Sequence, residues 1–238
     1  MRCAPGIHQI VATMLQGLQI VRGPVLDLGS GSGALLARLG DEGFTDLNAV
    51  ELNAQKFGLA GVVPIAIDLN SRFAASFSRR FSLITCVEII EHLDSPRNFL
   101  TEVRELLADD GLLLLTTPNV ADWMGRIRFL LTGTLRYFDD AQYRFNHHVS
   151  PLPNVQLRHL LDEIGLRIIT TKTAGTFFGP LKMALLAPFW LPFRLFAGDS
   201  VMGDVNLYAL VRTEPKPSRA GDWTEEISDA TVQSAAFK

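Results

Sequence analysis

The sequence has few cysteines and no excess of positive charge. It contains two cysteines, Cys3 and Cys86, too few for a disulfide framework. Cys86 lies in an apolar run, where a thiol packs as a small hydrophobic side chain. The formal net charge is −3, so the composition lacks the broad basic surface with which proteins follow nucleic-acid backbones. Nucleic acid is therefore not an expected partner.

The sequence also lacks a recognisable secretory leader and an uninterrupted membrane-spanning segment. These absences predict a cytoplasmic protein. Residues 176–198 are strongly apolar, but Pro180, Pro188 and Pro192 interrupt them. A spanning helix needs about 20 apolar residues with an intact hydrogen-bond ladder. The segment therefore predicts a pair of short interfacial helices or an apolar lid.

Short apolar runs alternate with segments of helical periodicity over most of the chain. The candidate strands are the run beginning at Val25, then 47–50, 63–67, 82–87, 111–116, 166–173 and 204–212. The candidate helices are 7–21, 33–40, 54–59, 71–78, 96–108 and 153–164. Fully apolar strands that alternate with helices are typical of a parallel sheet covered by helices.

A glycine-rich turn joins the first candidate strand to a helix in "VLDLGSGSGALLARL", residues 25–39. Gly29, Gly31 and Gly33 permit positive φ and let a ligand lie against the backbone. This spacing, with Glu51 downstream, also satisfies a relaxed dinucleotide fingerprint. Asp27 argues against a dinucleotide, because its carboxylate would lie beside the pyrophosphate. The alternative for Asp27 is a residue that only caps the loop.

Three acidic residues stand near the ends of the first three candidate strands, namely Asp27, Glu51 and Asp68. Together with the glycines, they resemble the class I S-adenosylmethionine-dependent methyltransferases. The resemblance covers about residues 20–120 and is weaker to about residue 212. It implies an α/β, Rossmann-like doubly wound sheet, mostly parallel with an antiparallel last strand and helices on both faces. One departure is Asp109-Asp110-Gly111, at a place where the family often has a pair of glycines. A turn tolerates this change of residues.

The resemblance also implies which residues bind S-adenosylmethionine. In that family the glycine loop lies along the methionine part, the acid after the second strand holds the ribose hydroxyls, and the acid after the third meets adenine. Asp68 has an alternative role as the N-cap of the next helix. Carried over by position, the cofactor-binding residues are Asp27, Gly29, Ser30, Gly31, Gly33, Glu51, Leu52, Asp68, Leu69 and Val87.

The resemblance organises the chain into one methyltransferase domain, residues 1–213. Within it, residues 20–120 are the cofactor-binding core, 121–152 an insertion over the acceptor and 176–198 an apolar interfacial insertion. The polar composition of residues 214–238 predicts a disordered tail.

Two carboxylates and an imidazole follow the fourth candidate strand in "CVEIIEHLDSP", residues 86–96. Glu88 and Glu91 are three residues apart and would share a face if the chain turns helically after the strand. Two oxygen ligands and an imidazole suit Mg²⁺, Mn²⁺ or another divalent cation. Two alternatives remain: His92 acts as a general base without a metal, or the residues are only structural.

The E-x-x-E-H pattern resembles two methyltransferase groups, those of ubiquinone biosynthesis and those that methylate the terminal 2′-hydroxyl of small RNAs. In both groups the pattern is associated with a divalent metal, and the RNA group adds a later histidine. His147 and His148 lie where that histidine would be expected, and the spacing to the next helix favours His148. The resemblance thus implies Glu88, Glu91, His92 and His148 as metal ligands, with Glu91, His92 and His148 catalytic.

The acceptor is predicted less closely than the cofactor. Aromatic residues and arginines alternate through 121–150, which fits either ring or phosphate binding or an amphipathic lid helix. The apolar segment 176–198 favours a lipidic or lipid-linked acceptor and contact with the inner face of the membrane, while a homodimer interface would also explain it. The pattern after "TPNV" resembles bacterial methyltransferases associated with cell-surface glycan assembly.

These observations predict methyl transfer from S-adenosylmethionine to a hydroxyl of a small-molecule, lipid-linked or glycan acceptor. A second hypothesis is a non-catalytic protein of the same fold that docks a membrane or a partner through 176–198. A third, a nicotinamide-dependent oxidoreductase, predicts NADH binding and is disfavoured by Asp27.

Overall fold

The computed structural model describes residues 6–18, 20–175 and 178–215. Cys3 and nearly all of the predicted polar tail, from residue 216 onward, lie outside these ranges.

Six strands form one sheet in the order β2-β1-β3-β4-β6-β5. They are β1 Val25–Leu28, β2 Leu47–Val50, β3 Phe81–Val87, β4 Leu107–Pro118, β5 Leu166–Ala174 and β6 Val205–Arg212. The pairs among β1 to β4 are parallel. The last strand, β6, runs antiparallel to both of its neighbours. The predicted mostly parallel sheet with an antiparallel last strand is confirmed.

Eight α-helices accompany the sheet within the described ranges. They are α1 Ile7–Gln16, α2 Ala34–Asp41, α3 Pro96–Leu106, α4 Trp123–Thr132, α5 Asp140–Asn146, α6 Asn154–Ile164, α7 Pro180–Leu185 and α8 Ala187–Ala197. One apolar cluster joins one face of the sheet to α3 and α6. A second cluster joins the opposite face to α1 and α2. The predicted helices on both faces are thus confirmed.

The candidate strand at 63–67 is not a strand in the structure. It is reduced to a single parallel bridge between Val50 and Ile65 at the edge of β2. Pro64 has no N–H to give to a ladder, and an edge position offers a partner on only one side. Asp68 therefore follows a loop and not a strand.

Several predicted helices are shorter in the structure. The first ends at Gln16, with Gly17 as its C-cap, and not at residue 21. The candidates at 54–59 and 71–78 contain only 3₁₀ turns, Ala54–Lys56 and Ala74–Ser76. Such single turns are common connectors, because longer 3₁₀ runs have poor hydrogen-bond geometry.

The apolar segment that begins at residue 176 forms two short helices over its described part, α7 and α8. Pro180 and Pro188 lie in the first turns of their helices, where the missing N–H costs nothing, while Pro192 lies inside α8. No helix in the described ranges is both long enough and apolar enough to cross a bilayer.

Candidate cofactor and acceptor site

The glycine loop turns sharply where β1 ends. The φ angles of Gly29, Gly31 and Gly33 are 75°, 55° and 82°, all in the left-handed region. The backbone N–H groups of Gly29 and Ser30 both donate to the carbonyl of Val50, each at 2.9 Å. These two bonds tie the loop to the end of β2, so the carboxyl ends of β1 and β2 form one edge.

Gly29 and Gly31 have different surroundings. A Cβ on Gly29 would lie 2.1 Å from Cδ1 of Ile89, so the loop is in direct contact with the segment that follows β3. At Gly31 no described heavy atom lies within 4 Å of an ideal Cβ. The exposed face of Gly31 is therefore an open cradle in which a ligand can lie against the backbone.

Glu51 lies across the mouth of the glycine loop. Its Oε2 accepts from the N–H of Gly31 at 2.7 Å, and its Oε1 accepts from the N–H of Asn53 at 2.9 Å. A carboxylate offers about four lone-pair positions. Two positions therefore remain available for further donors such as a pair of hydroxyls.

Asp27 lies beneath the loop. It is buried, and its Oδ1 accepts from the Thr85 hydroxyl at 2.6 Å. Burial raises the pKa of Asp27 to about 6, while the hydrogen bonds from Thr85 and Ser30 oppose this rise. The carboxylate braces β1 against β3 in this structure.

The remaining predicted cofactor residues lie around the same edge. Asp68 is exposed, and its Oδ1 accepts from the N–H of Asn70 at 2.9 Å, leaving its second oxygen outward. Leu52 is exposed, whereas Leu69 is buried in the core. Val87 is the last residue of β3 and pairs with Thr116 of β4.

Glu88 has an unusual backbone conformation. Its φ is 54°, which is uncommon for a residue with a Cβ, and the 3₁₀ turn that follows covers only Ile90–His92. Its Oε1 accepts from the Thr116 hydroxyl at 2.9 Å, and that hydroxyl accepts from the Glu88 N–H at 3.0 Å. Burial raises the pKa of Glu88 to about 7, and the Asp204 carboxylate contributes to the rise.

Glu91, His92 and His148 form a cluster whose potential ligand atoms all lie within 4.8 Å of one another. Glu88 is outside this cluster, contrary to the predicted set of four. The prediction placed Glu88 and Glu91 on one helical face, but the left-handed backbone at Glu88 takes it off that face.

Two buried atoms of this cluster lack hydrogen-bond partners among the described residues, Oε1 of Glu91 and Nδ1 of His92. The Glu91 Oε1 is 3.8 Å from Nε2 of His92, and the His92 side chain is 9% exposed. Burial raises the pKa of Glu91 well above its usual range, with a further contribution from Glu88. Burial lowers the pKa of His92 to about 4, so its imidazole is neutral at pH 7.

His148 reaches the cluster through a backbone strap. The N–H groups of Val149 and Ser150 donate to the carbonyl of Glu91 at 2.9 and 3.0 Å. The ring centroid of His148 lies 4.7 Å from the ring centroid of His92. Nδ1 of His148 is 2.7 Å from the carbonyl of Tyr137. A carbonyl only accepts, so Nδ1 must carry the proton, and in the neutral ring Nε2 keeps a free lone pair.

The structure adds polar residues that sequence reasoning missed. Thr117 donates its hydroxyl to Oε2 of Glu91 at 3.4 Å. Tyr137 Oη and Asp204 Oδ1 are buried without a hydrogen-bond partner among the described residues. The Thr116-Thr117 pair that ends a strand of leucines was a visible signal, and Tyr137 lies in the stretch 121–150 whose aromatic residues and arginines were predicted to face the acceptor, but Asp204 gave no signal.

This edge presents hydrogen-bond acceptors and unprotonated imidazoles. Glu51 and Asp68 present carboxylate oxygens with free acceptor positions, and Gly31 presents an open backbone. Neutral imidazoles of His92 and His148, which can accept a proton, belong to the segment after β3 that contacts the glycine loop and to the strap bound to it.

The chain is similar to known methyltransferases in sequence. The family model described as a methyltransferase domain matches residues 2–171. A ubiquinone biosynthesis O-methyltransferase from Histophilus somni (strain 2336) is 29% identical over 129 residues, 48% of this chain and 54% of that protein. One from Bradyrhizobium diazoefficiens is 27% identical over 170 residues, 66% of this chain and 62% of that protein. The chain thus spans about half the length of the curated relatives it matches.

The fold is also similar to that of a solved structure. A SAM dependent methyltransferase from Archaeoglobus fulgidus has a TM-score of 0.56 and 17% sequence identity, covering 87% of this chain and 94% of that one. At this identity the likeness shows a shared fold. The family model covers most of the chain, the sheet is parallel except for its antiparallel last strand, and the glycine loop lies at its carboxyl edge. The chain therefore belongs to the class I, S-adenosylmethionine-dependent methyltransferase family.

Proposed function

We propose that the protein transfers a methyl group from S-adenosylmethionine to a hydroxyl oxygen of its acceptor. The observation that carries this proposal is the contact between Gly29 and Ile89, which brings the glycine loop directly against the segment that bears Glu91 and His92. A group held along the loop would face the imidazole cluster. Proximity of this kind supplies most of the rate when the donor is already reactive.

The residues at the edge fit S-adenosylmethionine. Gly31 offers the open cradle for the methionine part, Glu51 has lone pairs left for the ribose hydroxyls, and Asp68 has a free oxygen for the adenine amino group. Asp27 acts from beneath the loop by fixing its position. When bound, S-adenosylmethionine supplies a methyl group on a positively charged sulfur.

His92 and His148 are the groups that move the acceptor proton. Desolvation lowers the pKa of both below that of a free imidazole, with the His92 side chain buried and His148 half-buried, so both are neutral at pH 7. One of them would take the hydroxyl proton while the acceptor oxygen bonds to the methyl carbon, and the bond from that carbon to the sulfur would break, which leaves S-adenosylhomocysteine as the neutral product. Thr117 and Glu91 hold the cluster in place through the bond from the Thr117 hydroxyl.

The acceptor is a hydroxyl compound that presents a polar group to a cluster of polar side chains. Glu88, Tyr137 and Asp204 lie close enough to influence one another's pKa. Tyr137 Oη and Asp204 Oδ1 are buried and have no hydrogen-bond partner among the described residues. A sugar or other polyhydroxyl head group fits this set, either free or linked to a lipid. The curated relatives are named O-methyltransferases, which supports oxygen as the atom methylated.

The proposal is tested by binding first and turnover second. Calorimetric titration should show micromolar affinity for S-adenosylhomocysteine, no heat with NADH, and at least tenfold weaker binding in Glu51→Gln. His92→Gln should keep the affinity and lose methyl transfer to hydroxyl acceptors. Absence of S-adenosylhomocysteine binding would overturn the proposal and favour the non-catalytic hypothesis.

A divalent metal at Glu91, His92 and His148 is a second candidate, favoured by the unpartnered atoms of Glu91 and His92. One carboxylate and two imidazoles suit Mn²⁺, Fe²⁺, Co²⁺ or Zn²⁺ better than Mg²⁺, which prefers oxygen ligands. The carbonyl of Tyr137 at Nδ1 of His148 is the kind of partner that orients a ligating imidazole.

The metal candidate has its own binding test. Calorimetry with Mn²⁺ and Zn²⁺ should show binding that His148→Gln weakens at least tenfold. His147→Gln is the matched control, because His147 is the adjacent residue and is exposed. Equal binding by both variants, or none by the wild type, removes the metal while leaving the histidine base intact.

A further inference from the structure

The helices α4, α7 and α8 expose large apolar side chains. Six of these are at least 75% exposed: Leu130, Leu131, Leu181, Leu185, Leu195 and Phe196. We name these six residues the docking face. The structure describes every residue of α7 and α8, and neither helix buries any of them. Apolar side chains concentrated in this way mark a surface for interaction.

The three helices are joined to one another. Nε1 of Trp190 in α8 donates to the carbonyl of Met183 in α7 at 2.8 Å. The guanidinium of Arg126 in α4 lies 5.8 Å from the ring centroid of Phe193 in α8. The pair Leu181 and Leu185 has i, i+4 spacing, so the two side chains share a face of α7.

These helices are also cationic. They carry Arg126, Arg128, Lys182 and Arg194 and no acidic residue, although the whole chain has a net charge of −3. Arg128 and Arg194 pair with Asp139 and Asp199 outside the helices. The side chain of Lys182 lies over the ring of Phe178 at 3.9 Å. Apolar side chains bordered by cations fit an anionic lipid surface.

We propose that the docking face binds the surface of a bilayer that contains anionic phospholipids. The helices are too short to span, with 6 residues in α7 and 11 in α8, so they lie in the interface. A second copy of the chain fits less well, because a twofold contact places each patch against itself and brings cations against cations.

The docking face is attached to the edge of the sheet that carries the site. The side-chain amide of Asn119, just after β4, donates to the carbonyls of Ser200 and Gly203 at 2.7 and 2.8 Å. This ties the end of β4 to the turn that follows α8. A bilayer at the docking face would therefore lie beside the acceptor side, and this last point alone depends on the proposed function.

The test is vesicle flotation of the full chain. Vesicles of phosphatidylcholine with 30% phosphatidylglycerol should carry the protein, those of pure phosphatidylcholine should carry at least fivefold less, and added salt should weaken binding. The double variant Leu185→Glu with Phe196→Glu should lose binding. Lys182→Glu should lower binding to the anionic vesicles alone.

The matched control is Val63→Glu, since Val63 is 87% exposed and lies by β2, at the edge of the sheet opposite β5, which leads into α7 and α8. It should float as the wild type does, and circular dichroism should show that every variant is folded. Equal flotation by the double variant and the wild type would overturn the proposal, as would no flotation by the wild type. Concentration-dependent dimerisation that the double variant abolishes, without flotation, would assign the face to a second copy. Affinity for S-adenosylhomocysteine is measured separately, so failure of the catalytic proposal remains distinguishable.

Discussion

The edge of the sheet that carries the glycine loop and the helices α7 and α8 are built in opposite ways. Around the glycine loop, Asp27 is buried against Thr85, and the Ser30 hydroxyl donates to the carbonyl of Asp27 at 2.7 Å. In α7 and α8 the apolar side chains face outward and no residue is buried. The first region derives its order from its own interior, whereas the second has apolar surface still available for burial. The same chain therefore combines a site ordered by its own interior with a surface that our proposal assigns to an external partner.

The largest expected contrast is between two phenylalanines. Phe99 is buried at 1% exposure and Phe196 is 92% exposed. Phe99→Ala should lower the free energy of unfolding by about 3–5 kcal/mol, while Phe196→Ala should change it by less than about 0.5 kcal/mol. Urea denaturation of both variants in lipid-free buffer measures this. Similar losses in the two variants would mean that α8 is buried in solution.

A smaller contrast lies between two glycines with positive φ. Gly29→Ala adds both backbone strain and a clash with Ile89, whereas Gly133→Ala adds strain in open space. We expect Gly29→Ala to cost about 2–4 kcal/mol of stability and at least tenfold in S-adenosylhomocysteine affinity. Gly133→Ala should cost about 1 kcal/mol and leave the affinity unchanged. Denaturation and calorimetry provide both numbers, and equal affinities would contradict the assigned role of the loop.

The pH dependence of stability separates His92 from Asp27. The folded pKa of His92 is about 4, below its usual 6.5, so the unfolded chain binds more protons between these values and stability falls as pH drops from 6.5 to 4. The folded pKa of Asp27 is about 6, above its usual 3.8, so its effect runs the other way, and stability falls as pH rises through that window.

Two neutral substitutions test these signs. In His92→Gln, the loss of unfolding free energy on lowering the pH from 6.5 to 4 should be smaller by roughly 1–3 kcal/mol. In Asp27→Asn, the same loss should be larger. Denaturation midpoints from pH 4 to pH 7 measure both, with His147→Gln as the control. Changes of the same sign in the two variants would refute the assigned burial of one residue.

The smallest expected effect concerns the hydrogen bond between α7 and α8. Trp190→Phe removes the donor to the carbonyl of Met183 and should cost about 0.5–1.5 kcal/mol. Hydrogen exchange should speed up in α7 and remain unchanged in β3. Faster exchange throughout the sheet would mean that α7 and α8 stabilise the whole domain.

The sequence predicts the sheet and its edge well because their determinants are local. Apolar strands alternate with helical periodicity, and the glycines at 29, 31 and 33 all have positive φ. Its spacing also favours His148 over His147, and it is His148 that the structure brings against His92. The candidate strand at 63–67 fails because edge pairing depends on a neighbour that a periodicity pattern does not show.

The parts of the site that sequence reasoning missed depend on distant contacts. The left-handed φ of Glu88 removes it from the cluster, and nothing in its residue type signals that conformation. Thr117 becomes a partner of Glu91 through the register of β3 and β4. Asp204 is brought to the edge by the start of β6, far along the chain. Such contacts require the three-dimensional arrangement.

Because β5 and β6 are adjacent antiparallel strands, the connection that contains α7 and α8 can change without changing the sheet. Ala174 pairs with Val205, so the excursion of residues 175–204 leaves and re-enters the sheet at adjacent positions. Doubling the length of such a loop costs only about 0.6 kcal/mol in closure entropy. Natural selection could lengthen, shorten or exchange this excursion without moving a strand. The edge that carries the glycine loop would keep its strands while the surface presented by the excursion changed.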